Sequence, residues 1–193
     1  WDALNAVLTT SRGPRLLPDG QPLDLFVTVT DFVGHPEKLQ LHSPPEAMEM
    51  EHRITIGFST RGKTEGDIAD PAELTFAARA TASFPGAFPP FTVKELDEVL
   101  ADKNYVWADR KPFLKRILPN QFGLGTAEDT VLIDGSVLAN APFAQAIEAL
   151  KNRPAKREVD RRFVYIDPRP DLDVAKSDRA MQRLRAAQDS ENE

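Results

Sequence analysis

The residue best suited to do chemistry is Asp134, which ends the apolar run VLI at 131–133 and precedes Gly135. An apolar strand that carries a carboxylate at its carboxyl end places it where open α/β sheets bind ligands. A carboxylate held within hydrogen-bond reach of a reacting group can act as a general base. Gly135 allows a sharp turn and leaves room beside the carboxylate. The alternative is an ordinary Asp-Gly turn, since both residues dominate turns for local reasons.

A second candidate is the block ARATASFPGAFPPF at 78–91, in which a helix of small residues ends in phenylalanine and proline. Three phenylalanines of this block could form one wall of an apolar pocket and bind substrate: Phe84, Phe88 and Phe91. The alternative is that these rings simply fill the core, because buried phenylalanine is the norm.

Motifs for other kinds of site are missing from the sequence. The chain has no cysteine, which excludes disulfides, thiolate catalysis and Cys-ligated zinc or iron–sulfur sites. None of the three histidines has metal-ligand spacing, and we expect His35 and His42 to be exposed in a Pro-rich polar stretch. No serine lies in a G-x-S-x-G elbow, and no Gly-rich phosphate loop occurs. We therefore predict no metal, no cofactor and no nucleophile in this chain.

Composition and charge disfavour further classes of function. The 193 residues include 24 Lys and Arg against 30 Asp and Glu, which gives a net charge of −6. A binder of nucleic acid through a broad basic surface is disfavoured, because phosphate neutralisation needs clustered positive charge. No apolar run reaches the 18 or more residues that suggest a spanning helix. The length suggests about one domain.

The elements that must position these residues alternate between strand and helix patterns. Continuous or alternating apolar runs predict strands, 3.6-residue periodicity predicts helices, and 34–51 looks irregular. We predict strands at 23–32, 52–60, 131–136 and 162–168, helices at 72–82, 94–103, 142–152 and 177–188, and a short amphipathic piece at 113–118. Asp70 and Pro71 form the N-cap and first position of the helix at 72–82. This alternation predicts an α/β layered domain with a mainly parallel sheet.

Residues 92–130 separate the Phe-rich block from the strand that carries Asp134. A direct connection needs only about 2–6 residues, so this segment must fold into elements of its own. Its apolar stripe favours either a helical cap at the mouth of an acyl pocket or a helical hairpin packed on the outer face of the domain. The chain also opens at Trp1 directly in a helical pattern, so we expect that further sequence precedes it.

Several segments, in this order, resemble bacterial patatin-related proteins, the patatin-like phospholipases: LDLFVTVTDFVG, MEHRITIGFS, FAARATASFPGAFPPF, VLIDGSVLANAPFAQAI and RRFVYIDPRP. The most specific element is Asp134-Gly135-Ser136 followed by Asn140-Ala141-Pro142, which is similar to the family's D-G-[GAS] and N-x-P. The resemblance covers about residues 23–170. It implies a three-layer α/β/α fold and a serine acyl hydrolase that uses a Ser–Asp pair, with Asp134 as the Asp.

The resemblance also sets what we expect of the whole protein. Residues 1–193 would be the C-terminal part of one patatin-like domain, and the serine elbow and oxyanion loop would lie upstream. The substrate would be a lipid acyl ester, with contact to a membrane surface and a cytoplasmic or peripheral-membrane location; the oligomeric state stays open. Two alternatives remain: an inactive patatin-fold module that binds lipid or protein, and a regulatory domain unrelated to lipids.

Overall fold

The computed structural model describes residues 1–10, 17–18, 20–60, 68–139, 143–151, 153, 155 and 157–166. The chain divides into two compact units, Trp1–Arg153 and Pro154–Glu193. The described strands and helices all belong to the first unit, in the order α1 (Asp2–Thr9), β1 (Leu23–Gln40), β2 (Glu46–Thr60), α2 (Pro71–Thr81), β3 (Phe91–Thr92), α3 (Val93–Asp102), α4 (Arg110–Ile117), α5 (Pro119–Leu124), β4 (Val131–Asp134) and α6 (Phe143–Lys151).

The described strands form one antiparallel sheet with the order β2-β1-β4-β3. β1 and β2 make a long hairpin that a bulge interrupts between Thr30 and His35. β4 pairs with β1, where Val29 lies opposite Asp134. The α/β class is therefore confirmed, whereas the predicted parallel sheet is wrong for the described strands.

The prediction of a parallel sheet failed at residues 34–51, which we expected to be irregular. Both hairpin strands extend through this stretch, and only the segment 41–45 separates them. Parallel strands need a crossover connection of a dozen or more residues, so this short link permits only an antiparallel pair. Most side chains there are exposed, and the apolar periodicity that marks a buried strand is therefore missing.

The hydrophobic core lies between one face of the sheet and the helices α2 to α5. Alternate residues of β1 and β2 contribute Val29, Ile54, Ile56 and Phe58 to this core. The fully buried Phe76 of α2 meets Phe91 edge-on at 4.9 Å and Phe113 at 5.3 Å between ring centroids. Such edge-to-face pairs add to the stability that burial alone provides.

α2 begins where the sequence predicts. The Asp70 side chain accepts a hydrogen bond of 2.7 Å from the Ala72 amide, and Pro71 takes the first helical position. The side chain thereby satisfies one of the free amides at the helix start. Small residues, among them the fully buried Ala77 and Ala80, let α2 approach the sheet closely.

The segment between Phe91 and β4 is part of the core layer. It forms α3, α4, α5 and a short 3-10 turn at Ala127–Asp129. Its buried side chains belong to the same cluster as the sheet residues: Leu96, Leu100, Trp107, Phe113, Leu114, Ile117 and Leu118. These contacts favour the packed alternative for 92–130 over a cap.

The opposite face of the sheet carries α6. Thr55 lies between Ile54 and Ile56 in β2 and therefore points away from the core, because side chains alternate along a strand. The Gln145 amide of α6 donates a hydrogen bond of 3.2 Å to the Thr55 hydroxyl. Helices thus lie on both faces of the described sheet.

The second unit has no regular secondary structure in its described residues, 155 and 157–166. The strand predicted at 162–168 is wrong for 162–166, which belong to no described strand and whose apolar side chains are exposed. Residues 167–168 and the helix predicted at 177–188 lie outside the described residues. Within the described part of the chain, every helix is too short or too polar to cross a membrane.

Candidate functional site

Asp134 lies at the end of β4, where three distant segments of the chain meet. Its amide donates a hydrogen bond of 3.1 Å to the carbonyl of Ser83, just after α2. Its carbonyl accepts one of 3.1 Å from the hydroxyl of Thr30 in β1. The structure therefore brings together the strand at 23–32, the block at 78–91 and the Asp-Gly-Ser turn, which the sequence marked separately.

The carboxylate of Asp134 is half-buried and only partly engaged. Its Oδ1 accepts a hydrogen bond of 2.7 Å from the Ser136 amide, which fixes the side chain over a short 3-10 turn at Gly135–Val137. Among the described residues, none donates a hydrogen bond to Oδ2. The site thus holds a carboxylate in one orientation with an oxygen free to accept a proton.

Gly135 is required by close packing against β1. A Cβ at this position would lie 2.2 Å from both the carbonyl carbon and the carbonyl oxygen of Thr28. The glycine is buried, and its neighbour is main chain that cannot rotate aside. This turn therefore has a stronger steric demand than an ordinary exposed Asp-Gly turn.

Ser59, Ser83 and Ser136 do not provide a nucleophile for Asp134. Ser83 is fully buried, and its hydroxyl donates to the Arg79 carbonyl at 2.8 Å. The hydroxyl of Ser59 donates to Asp24 instead. Ser136 contacts the carboxylate through its amide alone. None of these three hydroxyls therefore donates a hydrogen bond to the Asp134 carboxylate.

The three phenylalanines predicted to bind substrate are not brought together. Phe91 is 1% exposed in the core, whereas Phe84 and Phe88 are 53% and 60% exposed. The Phe88 amide donates to the Phe84 carbonyl at 3.0 Å, so these two residues share one tight turn. The position of Phe91 favours the core alternative, and the two exposed rings lie on the surface beside Ser83.

A buried polar cluster that the sequence did not predict lies at the bulge of β1. The exposure expected for His35 is wrong: the residue is 8% exposed, and Asp31 is 1% exposed. Asp31 Oδ1 accepts from the amides of Val33 and Gly34 at 3.2 and 3.1 Å, and its Oδ2 accepts from Gln121 Nε2 at 2.8 Å. The only sign of this cluster in the sequence is that Asp31 and His35 stand four residues apart next to a predicted strand.

The described part of the chain offers few side chains and cavities that could bind a metal ion or a cofactor. In the described ranges, no cluster of three or more histidine, aspartate or glutamate side chains could hold a metal ion. Two described cavities, of about 570 and 620 Å³, are not lined by Asp134. The N-x-P element at 140–142 lies outside the described residues.

Comparison with known proteins adds no assignment. No family model, no curated protein and no solved structure matches this chain.

Proposed function

We propose that this chain is the C-terminal part of a patatin-like acyl hydrolase domain, in which Asp134 is the general base of a Ser–Asp pair. The observation that carries the proposal is the fixed carboxylate of Asp134, whose Oδ2 has no hydrogen-bond donor among the described residues. The convergence of the three motif segments at this residue supports it.

The proposed chemistry is hydrolysis of a lipid acyl ester. A serine hydroxyl is a weak nucleophile, so its attack on the ester carbonyl carbon needs a base that takes the hydroxyl proton. Asp134 Oδ2 accepts that proton and returns it to the alcohol that leaves, which gives an acyl-enzyme. Water then attacks the acyl carbon while the same carboxylate takes a proton from it. The bond from the acyl carbon to the serine oxygen breaks, the carboxylate returns the proton to that oxygen, and the fatty acid leaves. Backbone amides of the oxyanion loop would stabilise the charge that develops on the carbonyl oxygen.

The proposal assigns the serine elbow and the oxyanion loop to sequence upstream of this chain. It keeps the three-layer α/β/α fold for the whole domain, with any parallel strands supplied from outside the described residues. The described sheet itself is antiparallel. The substrate, a peripheral contact with membranes and a cytoplasmic location belong to the same proposal.

The test is Asp134→Asn in the full-length protein, assayed on a p-nitrophenyl ester. Asparagine keeps the shape and removes the charge, so hydrolysis should fall by orders of magnitude with an unchanged melting temperature. Asp129→Asn is the matched control, since this carboxylate is exposed and pairs with Lys94 at 2.8 Å. Near-normal hydrolysis by the Asp134 variant, or fluorophosphonate-sensitive hydrolysis by the 193-residue chain alone, would contradict the proposal.

A second candidate function is an inactive module that binds a lipid surface. The exposed rings of Phe84 and Phe88 favour it, because aromatic side chains are found where proteins meet membrane interfaces. Sedimentation with phosphatidylcholine vesicles would test this function. If the double variant Phe84→Ser, Phe88→Ser no longer binds the vesicles and the full-length protein has no hydrolase activity, the binding module is the better assignment.

A further inference from the structure

The side chain of Arg79, in the last turn of α2, binds both ends of the loop 82–90, which joins α2 to β3. Its Nη1 donates a hydrogen bond of 2.5 Å to the hydroxyl of Ser83, near the start of the loop. Its Nη2 donates one of 3.3 Å to the carbonyl of Pro89, near the end of the loop. One guanidinium group therefore fixes the two ends of this loop relative to each other.

A carboxylate on the next helix holds the guanidinium in this position. Glu95, in the first turn of α3, accepts a hydrogen bond of 2.8 Å from Arg79 Nε and one of 3.3 Å from Arg79 Nη2. Because the N–H groups of a guanidinium form a rigid planar fork, a carboxylate bound at two points sets the orientation of the whole group. The guanidinium carbon also lies 5.9 Å from the centroid of the Phe91 ring, within the range of a cation–π contact. The N–H groups that remain are therefore directed at the loop.

Ser83 transmits this constraint to the main chain beside Asp134. The residue is fully buried, and its hydroxyl accepts from Arg79 Nη1 while it donates to the Arg79 carbonyl at 2.8 Å. Its carbonyl accepts the hydrogen bond of 3.1 Å from the Asp134 amide. Ser83 lies after the end of α2 and belongs to no helix or strand, so its side-chain bonds and the bond of 3.2 Å from its amide to the Ala80 carbonyl hold it in place.

Asp134 has a strand partner on one side only. On that side it lies opposite Val29 of β1, and its carbonyl accepts from the Thr30 hydroxyl at 3.1 Å. On the other side, β3 pairs with β4 only as far as Leu132, two residues before Asp134. The Ser83 carbonyl takes the place of a strand partner there, so the position of Asp134 on this side depends on the position of Ser83.

We propose that Arg79 is a positioning residue for Asp134 and acts through Ser83. This inference rests on the proposed hydrolase, in which Asp134 Oδ2 takes the proton of a serine hydroxyl. Such a transfer needs the two oxygens within about 2.6–3.2 Å of each other, and a misplacement of about 1 Å can lower a rate about a hundredfold. The described hydrogen bonds of the Arg79 side chain all go to Ser83, Pro89 and Glu95. Arg79 therefore acts on the rate by holding the main chain of Asp134, which affects kcat rather than KM.

Arg110 provides a matched comparison for Arg79. Its Nε and Nη2 bind the two oxygens of Asp97 at 2.9 and 2.8 Å, and its Nη1 donates to Glu128 at 2.8 Å. The side chain of Arg110 is 27% exposed and that of Arg79 is 28% exposed. The described side-chain hydrogen bonds of Arg110 include none to the loop 82–90. The general cost of losing a bidentate arginine should therefore appear at both positions, and an effect on Asp134 should appear only at Arg79.

The test replaces each arginine with lysine, which keeps the charge but cannot reproduce the planar fork. In the full-length protein, Arg79→Lys should lower kcat for a p-nitrophenyl ester about tenfold or more and leave KM nearly unchanged. Arg110→Lys should lower the melting temperature by a similar amount and leave kcat unchanged. In the 193-residue chain, the Asp134 amide should exchange its hydrogen about tenfold faster in Arg79→Lys than in Arg110→Lys, as expected for about one hydrogen bond.

An unchanged kcat in Arg79→Lys, beside an inactive Asp134→Asn variant, would overturn the positioning role and leave the hydrolase in place. Equal exchange of the Asp134 amide in the two arginine variants would overturn it as well. Hydrolysis retained by Asp134→Asn would instead refute the proposed function and, with it, the role of Arg79. If Arg79→Lys fails to fold, Ser83→Ala decides, because it removes the hydroxyl that Arg79 binds and should lower kcat in the same way. Ser59→Ala is its control, since that hydroxyl binds Asp24, and should keep full kcat.

Discussion

Replacing Gly135 with alanine tests the packing that holds the turn after β4. The added Cβ would lie 2.2 Å from the Thr28 carbonyl carbon and oxygen and 2.4 Å from its hydroxyl. Carbon contacts are optimal at about 3.5 Å or beyond, so β1 and the turn must separate by about 1.3 Å. Overpacking of a core costs about 1–3 kcal/mol, and a clash with main chain belongs at the upper end. For a chain of this size, about 3 kcal/mol lowers the melting temperature by about 6–12 °C.

Two other glycines provide matched controls for the measurement, which is a thermal melt followed by circular dichroism. Gly123 lies in α5 and has no heavy atom within 4 Å of an added Cβ, so Gly123→Ala should raise stability by up to about 1 kcal/mol. At Gly57 the nearest atom is a Phe26 ring carbon at 3.5 Å, an ordinary contact, and alanine should be tolerated. If the Gly135→Ala variant has the same melting temperature as these two controls, the close approach of Gly135 to Thr28 is wrong.

Three further predictions concern acid, alkali and the segment between Phe91 and β4. The hydrogen bond from Arg53 lowers the pKa of Glu51 to about 2 from 4.5. The stability that this pair contributes is therefore complete above pH 4.5 and declines toward pH 2. In the Glu51→Gln variant, the melting temperature should depend less on pH between 4.5 and 2. Burial and the hydrogen bond to Asp70 raise the pKa of Tyr105 to about 12 from 10.0. The stability of the fold should therefore decline between pH 10 and 12, and phenolate absorbance reports the titration. Tyr105→Phe should remove this decline in the melting temperature. Replacing 95–125 with a Gly/Ser linker should abolish cooperative melting, because the deletion removes Phe113, Leu114 and their neighbours from the core. If the full-length protein instead melts cooperatively after the deletion and prefers esters of a different chain length, the segment acts as a cap.

Local signals in the sequence predicted the start of α2 and the strand that leads to Asp134. Asp70 and Pro71 fix the start of α2 through a side-chain hydrogen bond and a preset backbone angle, both of which depend on adjacent residues alone. The run at 131–133 gave β4 and its end at Asp134 for the same reason. Such features need no knowledge of the rest of the chain.

The direction of the strands and the burial of His35 depend on distant residues and could not be predicted in this way. The parallel sheet was inferred from the alternation of strand and helix patterns, and the exposed arm at 34–51, which makes β1 and β2 a hairpin, carries little apolar periodicity. His35 is buried because Gln121, 86 residues away in sequence, closes over the bulge. A histidine among prolines and glutamates gives no sign of that contact.

The hydrogen bonds that position Asp134 make its substitution unusually informative. Its amide and carbonyl bond to Ser83 and Thr30 through main-chain atoms of Asp134 itself, and these bonds persist whatever the side chain is. Only the bond from the Ser136 amide uses the carboxylate, and an asparagine oxygen can also accept it, although more weakly because it carries no charge. Asp134→Asn therefore changes the charge and the ability to take a proton while the backbone position stays fixed. A loss of hydrolysis without a change in melting temperature would then report on proton acceptance rather than on folding.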